Sequence, residues 1–318
     1  MNKRVSIFSF KNAVWKYYRA HARAMPWRFE KDPYRVFVSE VMLQQTQVDR
    51  VRGKYEEFIK RFPDFRALAE APLSTVLHAW QGLGYNRRAL FLKRAAEAVV
   101  REHGGALPRS EDALRALPGI GAATASSIRA FAFNEPAVFI ETNIRSVYLH
   151  FFFPKSPPEA PCPPPGGDPP SEEKKVSDKK LLPLVEKTLD RANPREWYYA
   201  LMDYGAMLKR NGANPSRASA THKKQPRFEG SLRQTRGAVT KLLLGEKSLT
   251  ESEIRKALSR HDSARIATAL SGLVRDGFLA VASRTGRVAY RIRDEGSLSS
   301  SPLPREASVL SSAAVRSG

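Results

Sequence analysis

The sequence of 318 residues has a single cysteine, Cys162, and it has far fewer acidic than basic residues. One cysteine excludes an internal disulfide bond and a four-cysteine metal site within this sequence. No apolar run approaches the ~20 residues that a membrane-spanning helix needs. The first ten residues also lack the apolar core of a signal peptide. We therefore expect a soluble, intracellular protein.

The charge balance indicates the kind of partner. Lysine and arginine number 53 against 32 aspartate and glutamate residues, which gives a formal net charge of +21. An excess of this size in a chain with 42% hydrophobic residues predicts a polyanionic partner. A solubility surface or a basic tail is the alternative. The spread of the basic residues over the whole chain makes that alternative weaker.

Residues 6–150 show helical periodicity almost throughout. One apolar stripe predicts a helix that begins near Ser39, with Ser39 as its N-cap and Glu40 in its first turn. Further helices are expected over 73–80 and 87–101, separated by short breaks that contain glycine or proline. The residues of the first stripe are Val48, Val51, Tyr55, Phe58, Ile59 and Phe62.

Composition divides the remainder of the chain. Residues 154–180 are rich in proline and glycine and predict a mobile loop. Helical patterning resumes over 179–209, and the polar segment 211–229 is interpreted as a linker or an extended basic segment. Together, residues 1–230 are expected to form one all-helical core.

Residues 231–293 have the pattern of a small separate domain. Helices are predicted over 232–244 and 263–276, and a capping box, Thr250 to Glu253, opens another helix between them. Two short strands follow around the turn at 284–287. This order predicts a winged-helix-like α+β unit, which typically binds DNA or docks a protein. Residues 294–318 are expected to be a disordered tail.

The sharpest local motif is the turn Leu117-Pro-Gly-Ile-Gly121 between two predicted helices. Gly119 and Gly121 allow a tight reversal and a close approach of the backbone to a ligand. The next helix, which carries Thr124, presents free N–H groups at its N-terminus, where a phosphate binds readily. This pattern is typical of a helix-hairpin-helix that grips the DNA backbone. A plain helical turn is the alternative.

Five motifs in order resemble one family. The chain resembles the helix-hairpin-helix DNA glycosylase superfamily, and within it the MutY-like adenine glycosylases. The similarity covers residues 6–153 and resumes at 197–207. The resemblance implies an all-α core of two lobes with DNA across the cleft. The motifs are Pro26-Trp-Arg28, Asp32-Pro-Tyr34, Ser39-Glu-Val-Met-Leu-Gln-Gln-Thr-Gln47, Gly82-Leu-Gly-Tyr85 and Leu117-Pro-Gly-Ile-Gly121.

The resemblance assigns residues to the DNA and the base. Trp27 and Arg28 match residues that line the base pocket. Gln44 and Gln45 match residues that fill the gap in the base stack, and Tyr85 matches the aromatic wedge beside the opposite base. Without the resemblance, these five residues would be interpreted as a core tryptophan with a surface arginine, a polar helix face and a packed aromatic ring.

Two carboxylates are implied to carry the chemistry. Glu40 matches the acid that protonates the purine and assists water; a solvated glutamate in a first turn is the alternative. Glu141, two residues before Asn143, stands where the family has an aspartate, so its position beside the sugar is in doubt. A helix N-cap is the alternative for Glu141. Burial is expected to raise the pKa of Glu40, and polar donors to keep the pKa of Glu141 low.

Two departures from the family concern cofactors and the reaction type. Ala123 stands where bifunctional relatives carry a Schiff-base lysine, which predicts a monofunctional enzyme. The four-cysteine iron–sulfur loop of the family is replaced by a basic segment, interpreted either as a substitute DNA contact or as a linker. No cofactor is expected, although the resemblance leaves room for a monovalent cation at the hairpin 117–121. The basic residues are Lys209, Arg210, Arg217, Lys223, Lys224 and Arg227.

These patterns together predict a monomeric DNA glycosylase that removes adenine from a mispair opposite 8-oxoguanine or guanine in double-stranded DNA. The lesion-reading C-terminal domain of the family is replaced here, so recognition of 8-oxoguanine stays open. One alternative is a mismatch uracil or thymine glycosylase, and another is an inactive DNA-binding protein on the same scaffold. The expected location is the cytoplasm, at the nucleoid, or elsewhere inside the cell.

Overall fold

The structure is a computed structural model. Cys162 and the proline-rich segment around it lie outside the residues that it describes, and so does the tail after Asp294. The described ranges are 5–154, 175–212, 215–221, 227–246, 248–284 and 286–294.

The described part of the chain is mostly helical, with one small antiparallel sheet. This confirms the predicted fold class of a helical core followed by a small α+β unit. None of the described helices has the length and apolar content to cross a membrane. The helices are α1 (Ile7–His21), α2 (Pro33–Leu43), α3 (Val48–Arg61), α4 (Phe65–Glu70), α5 (Leu73–Trp80), α6 (Arg87–His103), α7 (Glu111–Ala116), α8 (Ala122–Phe133), α9 (Thr142–Phe152), α10 (Asp178–Thr188), α11 (Pro194–Arg210), α12 (Leu232–Gly245), α13 (Glu251–Ala257) and α14 (Ser263–Asp276).

The predicted start of a helix at Ser39 is wrong. Asp32 is the N-cap of α2, its side chain accepts the Tyr34 N–H, and Pro33 follows at the first helical position. Ser39 is instead buried within α2 and donates to the carbonyl of Val36. Glu40 therefore lies near the C-terminal end of α2. The apolar stripe from Val48 onward belongs to the separate helix α3.

One lobe of the core joins the two ends of the helical region. Helix α11 packs against both α1 and α9. Phe10 of α1 is fully buried against Trp197 of α11 and Tyr148 of α9, with ring centroids 5.9 and 5.2 Å away. Burial of three large aromatic side chains stabilises this lobe by several kcal/mol, on the order of 2 kcal/mol for each ring. The N-terminal helix and the segment after residue 180 thus pack together in one lobe.

The segments interpreted as loop and linker contain more structure than predicted. Helix α10 begins at Asp178, inside the expected loop. Residues 215–218 form a short 3-10 helix that packs on α9, and Ser219 forms a parallel bridge with Val176. Ser219 is buried, so this part of the segment 211–229 is a packed piece of the core and not a free linker.

The C-terminal unit has the predicted helices and two predicted strands. The capping box at Thr250 is confirmed, and Gly277 ends α14 in a left-handed conformation. A short first strand, which the sequence did not indicate, completes the sheet in the order β1-β3-β2. The division of the chain at residue 230 stays a prediction. The strands are β1 (Leu249–Thr250), β2 (Leu279–Arg284) and β3 (Arg287–Ile292).

Candidate active site

Helix α2 faces helix α8 through two polar contacts. The carboxyl Oε2 of Glu40 lies 2.6 Å from the hydroxyl of Ser127, and the Gln44 amide donates to the hydroxyl of Thr124 over 3.2 Å. Gln44 is the C-cap of α2 and follows Glu40 by one turn, and Thr124 and Ser127 are one turn apart on α8. The two helices therefore place the proposed acid and a proposed base-stack residue on one face, beside the first turn after the hairpin.

Glu40 is held in a form that can give up a proton near neutral pH. Burial raises the pKa of Glu40 to about 7, with the Ser127 hydrogen bond opposing that rise and the charge of Glu141 adding to it. The Ser127 hydroxyl also lies 3.0 Å from the carbonyl of Thr124. The Ser127 hydroxyl donates to Glu40 and so favours the ionised carboxylate, but burial and the charge of Glu141 outweigh this contact.

Glu141 is the N-cap of α9 and also faces Glu40. Its Oε1 accepts the N–H groups of Asn143 and Ile144 at 2.9 and 3.0 Å, and its Oε2 accepts the Asn143 side-chain amide at 3.3 Å. The expected low pKa is wrong: burial raises the pKa of Glu141, although these donors and Arg145 oppose the rise. Glu141 therefore both caps α9 and lies close enough to Glu40 for their charges to interact. Three N–H donors still favour ionised Glu141 more than one hydroxyl favours ionised Glu40.

A close helix contact fixes the position of Glu141 and Asn143. Gly205 of α11 leaves no space for a side chain, since a Cβ there would lie 2.4 Å from the backbone oxygen of Asn143. We expect Gly205→Ala to push the N-terminus of α9 away. That shift should cost about 3 kcal/mol of unfolding free energy, as overpacking does. Chemical denaturation measures this loss.

The matched control is Gly53→Ala, at an exposed position of α3 with nothing within 4 Å of an added Cβ. That substitution should raise the unfolding free energy by up to about 1 kcal/mol, because alanine favours a helix over glycine. Equal effects of the two substitutions would contradict the tight contact at Gly205.

The proposed base-stack residues lie in two strained turns. Gln45, directly after α2, and Tyr85, directly before α6, both adopt left-handed backbone conformations, with φ of 54° and 49°. Such conformations cost a non-glycine residue on the order of 1 kcal/mol and are frequent at functional sites. Gln45 is exposed and Tyr85 is half-buried.

Arg88 joins these two turns. Its guanidinium donates to the carbonyls of Val41 and Met42 at the end of α2, to the hydroxyl of Thr46, and to the carbonyl of Gly84 next to Tyr85. Burial lowers the pKa of Arg88 to about 10, which leaves the side chain protonated at neutral pH. Arg88 therefore fixes both turns relative to each other.

Trp27 lies beside α3, and Arg28 lies beside α11. Trp27 is buried, and its ring contacts Tyr55 with centroids 5.6 Å apart. Arg28 makes a bidentate ion pair with Asp203, at 2.8 Å for both contacts, and its guanidinium lies 4.5 Å from the Tyr199 ring centroid. The interpretation of Arg28 as a surface residue is wrong, because its side chain is 6% exposed.

The hairpin has the predicted geometry. Gly119 adopts φ of 80°, and a Cβ there would lie 2.8 Å from the Cβ of Phe91. Leu117 and Ile120 are buried, and Gly121 is the N-cap of α8. Ala122 and Ala123 are exposed in the first turn, so the N-terminus of α8 faces solvent. The roles predicted for these residues, and the monovalent cation, stay predictions.

Sequence reasoning missed three residues of this region: Ser127, Arg88 and Asp203. Asp203 lies inside the segment 197–207, which is part of the resemblance to the family. Arg88 follows Tyr85 by three residues. Ser127 follows Thr124 by one helical turn, which places both on one face of α8. The helical spacing was therefore a usable signal for Ser127, while no local signal indicated its partner.

Comparison with known families identifies this helical region. Residues 38–161 match the model of the HhH-GPD superfamily base excision DNA repair proteins. This segment contains the second half of α2, the hairpin, all of α8 and both carboxylates. This part of the chain is therefore similar to the HhH-GPD superfamily.

Within that superfamily, the chain is similar to adenine DNA glycosylases. It is 32% identical to the adenine DNA glycosylase of Buchnera aphidicola subsp. Baizongia pistaciae over 60% of this chain and 50% of the relative. It is 38% identical to that of Mycobacterium tuberculosis over 43% of this chain and 45% of the relative. The human adenine DNA glycosylase is 32% identical over 64% of this chain and 36% of its own length. The chain thus spans half or less of these relatives.

A solved structure supports the same fold. A thermostable thymine-DNA glycosylase superposes with a TM-score of 0.54 at 24% identity, over 63% of this chain and 86% of that protein. At this identity the similarity concerns the fold alone.

Proposed function

We propose that the protein is a monofunctional DNA glycosylase that hydrolyses the N-glycosidic bond of adenine flipped out of a mispair with 8-oxoguanine or guanine. The burial of Glu40 beside a second carboxylate, at the start of the hairpin helix α8, carries this proposal, because it raises the pKa of a carboxylic acid to about 7. The similarity to adenine DNA glycosylases supports adenine as the base.

The two carboxylates divide the work in this proposal. Cleavage leaves positive charge on the sugar and negative charge on the base unless the base is protonated. Neutral Glu40 gives its proton to a ring nitrogen of the base, and the ionised Glu141, held by three N–H donors, stabilises the cationic sugar. Water then adds to the sugar and gives a proton to the Glu40 carboxylate, which restores the neutral acid. Such a division is known from glycoside hydrolysis.

Binding to DNA relies on the hairpin and the two turns. The N-terminus of α8 is exposed and can bind a phosphate. Gln45 lies in the turn after α2, and Tyr85 lies in the turn before α6. Extrusion of a nucleotide leaves a gap that side chains of this kind fill. The partner in this proposal is double-stranded DNA, bound by a monomer inside the cell.

The donor set does not fit the four-cysteine iron–sulfur cluster of the family, since this sequence has only Cys162. Ala123 offers no amine for a Schiff base. We expect the purified protein to contain no stoichiometric iron and to leave an intact abasic site. Metal analysis and borohydride trapping test this. Stoichiometric iron would contradict the cofactor prediction, and a trapped covalent complex would contradict the monofunctional reaction.

Single-turnover assays on a panel of defined duplexes test the proposed base. Adenine opposite 8-oxoguanine should be released at least as fast as adenine opposite guanine. Release of uracil or thymine with adenine left intact would favour the mismatch alternative. Tight binding without release of any base would favour an inactive DNA-binding protein.

A further inference from the structure

The C-terminal unit contacts the helical core at the residue matched to the aromatic wedge. Arg233, in the first turn of α12, donates a hydrogen bond to the Tyr85 hydroxyl over 2.7 Å. Its guanidinium also lies 5.2 Å from the centroid of the Tyr85 ring. The Phe228 ring, 54% exposed, lies 5.3 Å from the same guanidinium. The Arg233 guanidinium thus contacts both the Tyr85 ring and the Phe228 ring, which lies just before the C-terminal unit.

Further contacts fix the C-terminal unit against α5. This helix has no side-chain cap of its own, and the carboxylate of Asp294 supplies one by accepting the N–H and the hydroxyl of Ser74, both at 2.7 Å. The His78 ring lies 3.2 Å from the carbonyl of Leu244 at the end of α12. These contacts lie on both ends of α5.

A second anchor lies at α6. Asp276, at the end of α14, pairs with Arg236 of its own unit at 2.6 Å and lies 3.9 Å from Arg87, two residues after Tyr85. The docking is therefore distributed over α5 and α6, and it brings Arg233 to Tyr85. The expectation of a disordered segment from residue 294 does not hold for Asp294, which is part of this docking.

We propose that Arg233 is a positioning residue through which the C-terminal unit holds the Tyr85 ring, and that it thereby contributes to selection of the base opposite the flipped nucleotide. This rests on the proposed function. Tyr85 has a strained backbone conformation. Arg88 bonds to the adjacent Gly84 carbonyl and its guanidinium lies 5.6 Å from the centroid of the Tyr85 ring, whereas Arg233 bonds to the hydroxyl at the far end of the side chain. Without Arg233 the ring keeps these contacts to Arg88 and loses the hydrogen bond at its hydroxyl.

The test compares full-length Arg233→Ala, Arg233→Lys and Lys241→Ala. Lys241 is an exposed cation on the same helix, and it serves as the charge-matched control. Single-turnover release of adenine is measured opposite guanine, 8-oxoguanine and cytosine. Arg233→Ala should reduce the preference for guanine over cytosine about tenfold, the size expected from one hydrogen bond and one cation–π contact. Arg233→Lys should retain part of the preference for guanine over cytosine. Lys241→Ala should leave this preference within about twofold of the wild-type value.

A second measurement does not require base release. A duplex with an abasic analogue opposite 2-aminopurine reports unstacking of the opposite base by a rise in fluorescence on binding. That rise should be smaller for Arg233→Ala than for Lys241→Ala at saturating protein. A thermal unfolding midpoint of Arg233→Ala equal to that of the wild type excludes a general loss of folding. If Arg233→Ala unfolds, Arg233→Lys is used in its place.

The outcomes separate the two proposals. Normal adenine release with an unchanged preference and an unchanged fluorescence rise in Arg233→Ala would overturn the role of Arg233 and leave the function intact. A fluorescence rise that depends on Arg233, in a protein that releases no adenine, would overturn the function and support the positioning role. A uniform loss of affinity, equal to that of Lys241→Ala, would reduce Arg233 to a phosphate contact.

Discussion

Replacing Glu40 by glutamine is expected to lower the single-turnover rate of base release by ~10²- to 10⁴-fold while DNA binding persists. Glutamine keeps the shape and a hydrogen bond to Ser127, but it has no acidic proton to give. The wild-type rate should also fall as the pH rises above about 7, because the pKa of Glu40 is about 7 and the protonated form is the active one. The control is Glu56→Gln, an exposed glutamate on α3. Near-normal release by Glu40→Gln would remove Glu40 from the mechanism.

The same substitution should change the pH dependence of stability. The pKa of Glu40 rises from 4.5 to about 7, so the folded protein holds this proton more tightly than the unfolded chain. This contribution to stability is fully present below pH 4.5 and is lost as the pH rises through about 7, a change of about 3 kcal/mol. Glu40→Gln removes the ionisation. The variant should therefore gain stability relative to wild type between pH 5 and pH 8 in denaturant titrations.

Removing the carboxylate of Asp203 is expected to have the largest effect on stability. Its side chain is fully buried, and it accepts bonds from Arg28 and from both the side chain and the backbone of Arg23. Burial opposes ionisation of Asp203, but Arg28 and Arg23 outweigh it and hold the pKa of the carboxyl below its usual value. Asp203→Ala should cost about 3 to 5 kcal/mol of unfolding free energy, because Arg28 remains buried without a carboxylate.

Denaturant unfolding of Asp203→Ala at neutral pH measures this cost, with the exposed Asp49→Ala on α3 as the control. Asp203→Asn should lose less, since it keeps the volume and one acceptor oxygen. Arg28 should also lose its fixed place over Tyr199, so base release should slow even where the variant is folded. A loss below about 1 kcal/mol in Asp203→Ala would show that solvent compensates for the pair.

The break between α2 and α3 shows where local reasoning fails. The stripe from Val48 to Phe62 correctly predicts one face of a helix, but the predicted start at Ser39 is wrong. The pair Asp32-Pro33 is a strong start signal and was available in the sequence. The break at Gln44 to Gln47 has no glycine or proline. Long-range contacts at Thr124 and Arg88 hold this turn, and they are invisible to local pattern.

Glu141 illustrates the same limit for electrostatics. Its type and its place before a helix predicted donors, and the structure has three of them. The predicted direction of its pKa was nevertheless wrong, because the burial that opposes ionisation depends on how α9 packs against α11. Solvent exclusion is a property of the packed chain, and a motif does not specify it.

By itself, the sequence determined the helical class, the hairpin at 117–121, the capping box at Thr250 and the order of elements in the C-terminal unit. These features depend on glycine, capping residues and periodicity within a few positions. Only the tertiary structure decided which distant groups meet. Glu40 joins Ser127 across 87 positions, Arg28 joins Asp203 across 175, and Ser74 joins Asp294 across 220. Such pairs form where burial of apolar helix faces brings the backbones together, and burial depends on the whole core.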